Sequence, residues 1–527
     1  MSTPSTGPTA RHLRQAVRAT AATSMSRRGL LGLGLGAGAA LSLAACGGDA
    51  AGSASGTTTL KWAWQLPTTW DPVTSSAGSD VHMLALAYDS LTRLDDEGVA
   101  VPHLVDSWTY NDDGTELTLL LKPDLVFSDG APIDATAVKA SLERGRDADN
   151  SLVAPQLADL AEVAAPDAAT VVLTLSAPNF QYPNLLAGKT GMVVNPKGFA
   201  AGPDALATEA AGSGPFVLDE YTQNANAKLS KNPRHLLADE FDVDAFELYP
   251  AADAATVVAS LQSGQYNVAL LPPSQVDAAK AAGLEVQVID SLFVAVLDTN
   301  TAIPPFDDPA VVEALRFAIN REELVSAGQF GIGEVNYQPF PPGQVGHNDE
   351  LADVYAYDPD KARKILADAG YDKPIPLEVT TANPAGVPEL VLQQLNDVGF
   401  DATIKTVPPA QFTEVVYIQH SEQLVVDGFA GREAPFQAFQ VLYSDTGLMN
   451  PGREYDPKVK AAVEEFVRTP LDDPSYAEKL QAATKVAVET MPNTFLYTVP
   501  RVIARAATVS ALPETTTLVT WNGVTVS

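Results

Sequence analysis

The sequence predicts an α/β protein of two lobes, and three observations carry that prediction. The chain has 527 residues, enough for two or three domains. Its 46% hydrophobic and 19% charged content describes a globular protein with a sizeable core. From about Ser291 to Thr494 short apolar strand runs alternate with helix starts, the pattern of an α/β lobe.

An export signal precedes the lobes. The stretch Ser24 to Cys46 opens with paired Arg27 and Arg28, runs mostly apolar from Gly29 to Ala45, and closes on Cys46, Gly47 and Gly48, the three-part pattern of a secretory segment. The run is too short and too rich in glycine for a spanning helix. Ser26-Arg27-Arg28-Gly29-Leu30-Leu31 resembles the twin-arginine export motif, which serves proteins that cross already folded. Leu43-Ala44-Ala45-Cys46 resembles the lipobox of bacterial lipoproteins, whose cysteine takes a diacylglycerol and becomes the new N-terminus. Cys46 is the only cysteine, so it has no partner for an internal disulfide. Met25 directly precedes the arginine motif and is the expected start of translation, ahead of Met1. The expected division is a signal over 1–45 and a flexible, glycine-rich tether over 46–58.

The net charge is -32, and residues 1–45 hold five arginines and no acid. The chain beyond the signal is therefore more acidic still. Such a surface repels phosphate backbones and anionic headgroups. Nucleic acid is excluded as a partner, and the membrane is reached through the lipid alone.

Along the chain, Thr59 to Trp64 alternates as a strand does, and Pro67, Trp70, Asp71 and Pro72 turn away from it. Val81 to Leu94 reads as a helix with Leu84, Tyr88 and Leu91 on one face. Leu117, Leu119 and Leu121 share the buried face of a second strand. Asp134 is placed to N-cap a helix carrying Val138 and Leu142. Asp308-Pro309, Asp358-Pro359, Asp456-Pro457 and Asp473-Pro474 each set a capping carboxylate before a proline at the first helical position. Asn320 and Glu323 have capping-box spacing. Leu377 to Thr380, Thr403 to Val407 and Leu424 to Val426 read as the intervening strands.

One segment carries a specific resemblance. From Ala87 to Arg144 the residues Tyr88, Asp89, Leu91, Pro102, Leu104, Ser107, Trp108, Phe127, Asp129, Gly130, Pro132 and Ala135 stand at or near the signature positions of one family. The segment resembles the solute-binding proteins, family 5, of peptide and nickel ABC importers. Gly212-Ser213-Gly214-Pro215-Phe216, Lys231-Asn232-Pro233, Ala259 to Leu271 and Asn300 to Arg321 extend the likeness.

The resemblance implies a type II periplasmic-binding-protein-like fold with an extra subdomain in lobe one and a hinge of two crossing strands. Lobe one is expected over 59–290 plus 495–527, with the inserted subdomain at about 77–194, and lobe two over 291–494. The implied role is the extracytoplasmic component of an ABC importer, capturing a peptide or similar small polar solute by lobe closure. It would deliver that solute to membrane permease subunits, as a monomer anchored to the outer face of the cell membrane.

By resemblance, ligand contacts come from three places. The loop after the first strand offers Trp64, Gln65 and Trp70; the segment Asp427 to Gln440 offers Phe429, Arg432, Glu433 and Phe436; the C-terminal return offers Tyr497 and Arg501. Peptide-binding members commonly carry an aspartate where this chain has Arg432-Glu433-Ala434-Pro435-Phe436. Two readings stay open: Glu433 substitutes for that carboxylate, or Arg432 grips a ligand carboxylate with its bidentate fork. Trp62 and Trp64 share one strand face, so either fits a core position as well.

No enzyme is expected. The six histidines are scattered without metal-ligand spacing, and no nucleophile elbow, phosphate loop or cysteine pair is present. No cofactor and no metal are expected. The alternatives are an oligosaccharide or metal-chelate ligand, or an exported hydrolase.

Overall fold

The computed structural model describes residues 58–527 apart from 96–97, 203 and 251–252. Arg27, Arg28, Cys46 and the start at Met25 lie outside the described residues.

Two sheets organise the molecule. The larger has seven strands, in spatial order Glu285–Ile289, Arg501–Arg505, Val268–Leu270, Thr59–Ala63, Ala245–Tyr249, Asn226–Lys231 and Phe216–Thr222. The predicted first strand thus sits at its centre, parallel to both neighbours. The second sheet has five strands, in order Phe400–Thr406, Ile375–Thr381, Leu424–Phe429, Val294–Thr299 and Thr494–Thr498. Every residue of Val294–Thr299 is buried, as a strand flanked on both edges and covered on both faces requires. A four-stranded antiparallel sheet, Val105–Tyr110, Glu116–Leu121, Thr170–Leu175 and Leu160–Ala164, forms the additional subdomain.

Capping chemistry starts the helices where the sequence places it. Asp134 accepts from the Ala137 N–H at 3.0 Å, Asp308 from Ala310 at 2.9 Å, Asp358 from Lys361 at 2.8 Å and Asp456 from Lys458 at 2.7 Å. Asn320 accepts from Glu323 at 3.1 Å and restarts the chain as a new turn. Asp473 differs: it accepts from the Ser475 N–H, and the helix begins two residues later than expected, at Tyr476.

Two expectations are corrected. The helix from Val81 ends at Ala87, and Thr92–Leu94 is instead a strand paired with Ala100–Pro102. The cause is Gly214, whose N–H bonds Ala87 O at 3.0 Å; a Cβ on it would stand 2.5 Å from Ala87 C. That backbone-on-backbone approach needs glycine, and it draws Tyr88 into an extended conformation. Leu84, Tyr88 and Leu91 are nevertheless all buried. The second correction concerns Phe495, which belongs to Thr494–Thr498 in the five-stranded sheet. The return to the larger sheet starts at Arg501, because Thr494–Thr498 is needed to cover the free edge of Val294–Thr299.

The sheets are joined by two crossings, Asp290 to Phe293 and Val499 to Pro500. They bond to each other: Ser291 Oγ donates to Val499 O at 2.7 Å and Val499 N–H to Phe293 O at 2.8 Å. A pair of short, mutually tied connections makes a hinge.

Candidate functional site

A cavity of 380 Å³ lies between the sheets, beside the crossings. The larger-sheet side contributes Trp64, Gln65, Gly78, His82, Gln156 and Lys189, and the five-stranded side contributes Phe293, the loop Ala430 to Glu433 and Gln437. The loop reaches the cavity because strand Leu424–Phe429 ends there and helix Pro435–Tyr443 begins there. The Gln437 side chain starts that helix by accepting from the Ala434 N–H at 2.8 Å.

The two sides are in direct contact. Gln437 Nε2 donates to Gln156 Oε1 at 2.8 Å, Gln440 Nε2 to Pro155 O at 3.2 Å, and Asn184 Nδ2 to Glu433 O at 3.3 Å. This is the closed arrangement of the lobes.

Five of the predicted residues line the cavity: Trp64, Gln65, Arg432, Glu433 and Arg501. Trp62 is core, as one of the two readings of that strand allows, and Trp64 stacks on His82 with centroids 4.8 Å apart. Trp70, Phe436 and Tyr497 do not line it. Each is buried in a hydrophobic core instead, Trp70 against Tyr221, Phe436 in the cluster of Phe439, and Tyr497 on the edge strand Thr494–Thr498 in the core beside the five-stranded sheet. Phe429 is also buried, yet it serves the site indirectly as the shelf beneath Arg432, whose guanidinium carbon lies 5.4 Å from the ring centroid.

Hydrogen-bond accounting separates the charges that hold the walls from those left for a solute. Lys189 uses Nζ on Ser75 O at 2.9 Å, Ser75 Oγ at 3.1 Å and Ala77 O at 2.9 Å. Burial lowers its pKa to about 8, with Asp80 opposing the shift. Its three donors are spent. Arg501 donates to the carbonyls of Asp290, Thr515 and Thr516, pinning the C-terminal segment to a crossing. Burial lowers it to about 10. His82 accepts from the Val519 N–H through Nδ1 at 3.2 Å, and burial first, then the charge of Arg501, holds its pKa well below the ordinary value. It is neutral at pH 7.

Arg432 and Glu433 remain. Arg432 gives one N–H to Gly431 O at 2.5 Å, which leaves most of a five-donor fork for a ligand. The Glu433 carboxylate has no hydrogen bond or ion pair among the described residues. A free guanidinium thus stands next in sequence to a free carboxylate, both on the cavity wall.

The site residues missed in the sequence are His82, Gln156, Lys189 and Gln437. Lys189 had a signal, being the one charge in the apolar run Tyr182 to Val194. The scattered histidines also converge in part. His103 and His235 both meet the Asp89 carboxylate, at 2.7 and 3.2 Å. The three ligand atoms lie within 4.8 Å of one another, a spacing suited to a metal ion. Ser213 and Arg93 complete the shell at 3.0 and 3.6 Å, so the carboxylate already has its donors.

Residues 99–450 match the model for bacterial extracellular solute-binding proteins, family 5 middle. The chain belongs to this family. The signature read from Ala87 onward identified it. Among curated relatives, the glutathione-binding protein GsiB of Salmonella paratyphi A is 29% identical over 351 residues, 65% of this chain and 68% of the relative. Among solved structures, DppA of Helicobacter pylori in complex with peptide STSA aligns at a TM-score of 0.81 with 19% identity, covering 89% of this chain and 98% of that one. AgaA from A. tumefacien R10, in complex with agropinic acid, aligns at 0.80 with 22% identity over 90% and 99%. The fold is the α/β periplasmic-binding-protein fold with an extra subdomain. This family 5 protein is the substrate-binding component of an ABC importer and works outside the cytoplasm; it is a binding protein, not an enzyme.

Proposed function

We propose that the solute is a small peptide or peptide-like zwitterion, held by closure of the two lobes. The observation that carries this reading is the adjacent free pair Arg432 and Glu433. Arg432 takes the ligand carboxylate with two parallel N–H donors, and Glu433 takes its ammonium, so the two alternatives of the sequence become two ends of one ligand. Trp64 supplies an apolar face. A cavity of 380 Å³ is at the small end for ligand sites, which favours a solute of di- or tripeptide size. The relatives' glutathione and short-peptide ligands are of this kind.

The mechanism follows from differential affinity. Contacts on both walls exist together only when the lobes are shut, so a solute that touches both stabilises that state. The permease then receives the closed form. We place the lobe boundaries at the two crossings, with lobe one ending at about 290 and resuming at Arg501. A thermal-denaturation screen with alanine tripeptides and glutathione tests the reading: the melting temperature rises with ligand concentration, and the peptide is recovered intact. No shift with any of them, or cleavage, contradicts it.

We also propose that Arg27 and Arg28 direct export by the twin-arginine route and that Cys46 carries the lipid. The support is the sequence pattern from Ser24 to Cys46. Labelled palmitate incorporated into the wild type and lost in Cys46→Ala, with release from the membrane fraction, is the expected result. Equal labelling of both proteins contradicts it.

A further inference from the structure

His82 is the second residue of helix Val81–Ala87 and lines both the 380 Å³ cavity and a smaller void of 100 Å³ beside it. Val81, Glu433 and Thr517 are the other residues common to the two spaces, so His82 and Glu433 share their junction. Gly78, just ahead of the helix, lies against Arg432. The start of this helix thus faces the loop that carries both free charges.

The imidazole is fixed in place. Trp64 covers one face, with centroids 4.8 Å apart and planes inclined by 28°, and Nδ1 accepts from the Val519 N–H at 3.2 Å. A neutral imidazole has one acceptor nitrogen and one N–H. A backbone N–H can only donate, so the proton is on Nε2. Nε2 has no hydrogen-bond partner among the described residues and is not sealed from solvent. His82 is 8% exposed, and the spaces it opens on are the two cavities. A fixed donor without an acceptor therefore shares the junction with Glu433, an acceptor without a donor.

A peptide offers the complementary pair at its first residue, where the ammonium and the carbonyl oxygen are separated only by Cα and the carbonyl carbon. We propose that His82 is a specificity-determining residue, whose Nε2–H takes the carbonyl oxygen of the solute's first residue while Glu433 takes the ammonium. The proposal rests on the peptide-like reading of the cavity. Arg432 and Glu433 select the two charges, and His82 selects the backbone beside one of them. Val519 and Trp64 are positioning residues, the first by fixing the tautomer and the second by holding the plane of the ring.

The test is calorimetric titration of the full protein with trialanine and with its two analogues in which the first or the second carbonyl is a thiocarbonyl, whose sulfur is a weaker acceptor. Wild type is expected to bind trialanine about fivefold more tightly than the first-position thioamide, the worth of one hydrogen bond. His82→Asn keeps an acceptor for the Val519 N–H, but its amide nitrogen falls short of the place of Nε2. It is expected to bind trialanine about fivefold more weakly than wild type and to treat trialanine and the first-position thioamide alike. A merely structural His82 would leave that discrimination in place, and the wild-type comparison stands even if the variant fails to fold. No preference at the first position in wild type, or one that survives His82→Asn, overturns the assignment and leaves the peptide reading intact. A preference that the substitution removes at the second position only does the same. Failure of wild type to bind any of the three ligands overturns the peptide reading and the assignment with it.

Discussion

The carboxylate of Glu433 lies against the backbone of Gly188: a Cβ on that glycine would stand 2.4 Å from Glu433 Cδ. Arg432 repeats the arrangement on Gly78, where a Cβ would come within 2.8 Å of Nη1. Each free charge of one wall is thus seated on a glycine of the other. Gly188 has φ -101° and ψ -158°, a backbone that alanine adopts freely. Gly188→Ala therefore tests the space and not the fold. The atoms it would meet are the far end of the flexible Glu433 side chain, so alanine displaces the carboxylate from its seat in the closed state. The expected outcome is weaker binding of an ammonium-bearing ligand, read by calorimetry, with an unchanged melting temperature in the absence of ligand.

Arg432→Lys keeps the charge and removes the fork. If Arg432 holds a carboxylate by two parallel donors, lysine does not replace it. The loss of affinity for a carboxylate-bearing tripeptide is expected to be about 1.5 to 3 kcal/mol, measured by calorimetry, and Arg432→Ala should lose about as much.

Behind the loop Ala430 to Glu433, Asp298 is buried and Asp427 half-buried on two neighbouring strands of the five-stranded sheet. Asp298 accepts from Asn493 Nδ2 at 2.8 Å, and its other oxygen has no partner. Burial first, and then the neighbouring acid, raises Asp298 well above its ordinary value of 3.8; burial raises Asp427 to about 6. Both hold protons in the folded chain at a pH where the unfolded chain has released them. The contribution of each is thus most favourable in acid and is lost as pH rises above 3.8 through its raised value, which for Asp427 is about 6. Asp298→Asn removes this loss. Its stability relative to wild type should grow with pH above that lower value, by at most about 1.4 kcal/mol per pH unit, as read by denaturant titration. A gap independent of pH contradicts the assignment.

His82 works with the opposite sign. It is held neutral by burial, so the unfolded chain gains a proton below pH 6.5 that the folded chain refuses. Stability from this group is present above that value and lost below it. His82→Asn retains an acceptor for the Val519 N–H and cannot titrate. Its stability should therefore fall less steeply than wild type between about pH 6.5 and 5, and parallel curves contradict the claim.

The features legible in the sequence were local ones. Caps at Asp134, Asp308, Asp358 and Asp456 need only their own next few residues, and they formed as read. The helix beyond Ala87 was misread because its end is set by Gly214, more than a hundred residues away. The site divides in the same way. Arg432 and Glu433 stand in the loop where a peptide-binding family places its charge, and they reached the cavity. An aromatic in a loop carries no mark of which way it faces. Trp70 is buried by Tyr221, and Phe436 in a cluster that includes the distant Phe466 and Tyr476, partners that no local pattern joins to them. Lys189 and Gln156 reach the wall from the extra subdomain, and only the assembled fold brings them there.

The central claim is that Arg432 binds the carboxylate of a peptide-sized zwitterion inside the closed cavity. Calorimetric titration of wild type and Arg432→Ala with trialanine and with its C-terminal amide measures this directly as a double-mutant cycle. The account predicts that wild type binds the amide more weakly than the acid by about 1.5 to 3 kcal/mol, and that Arg432→Ala does not distinguish the two. If both proteins prefer the acid by the same amount, Arg432 does not hold the carboxylate and the account is wrong.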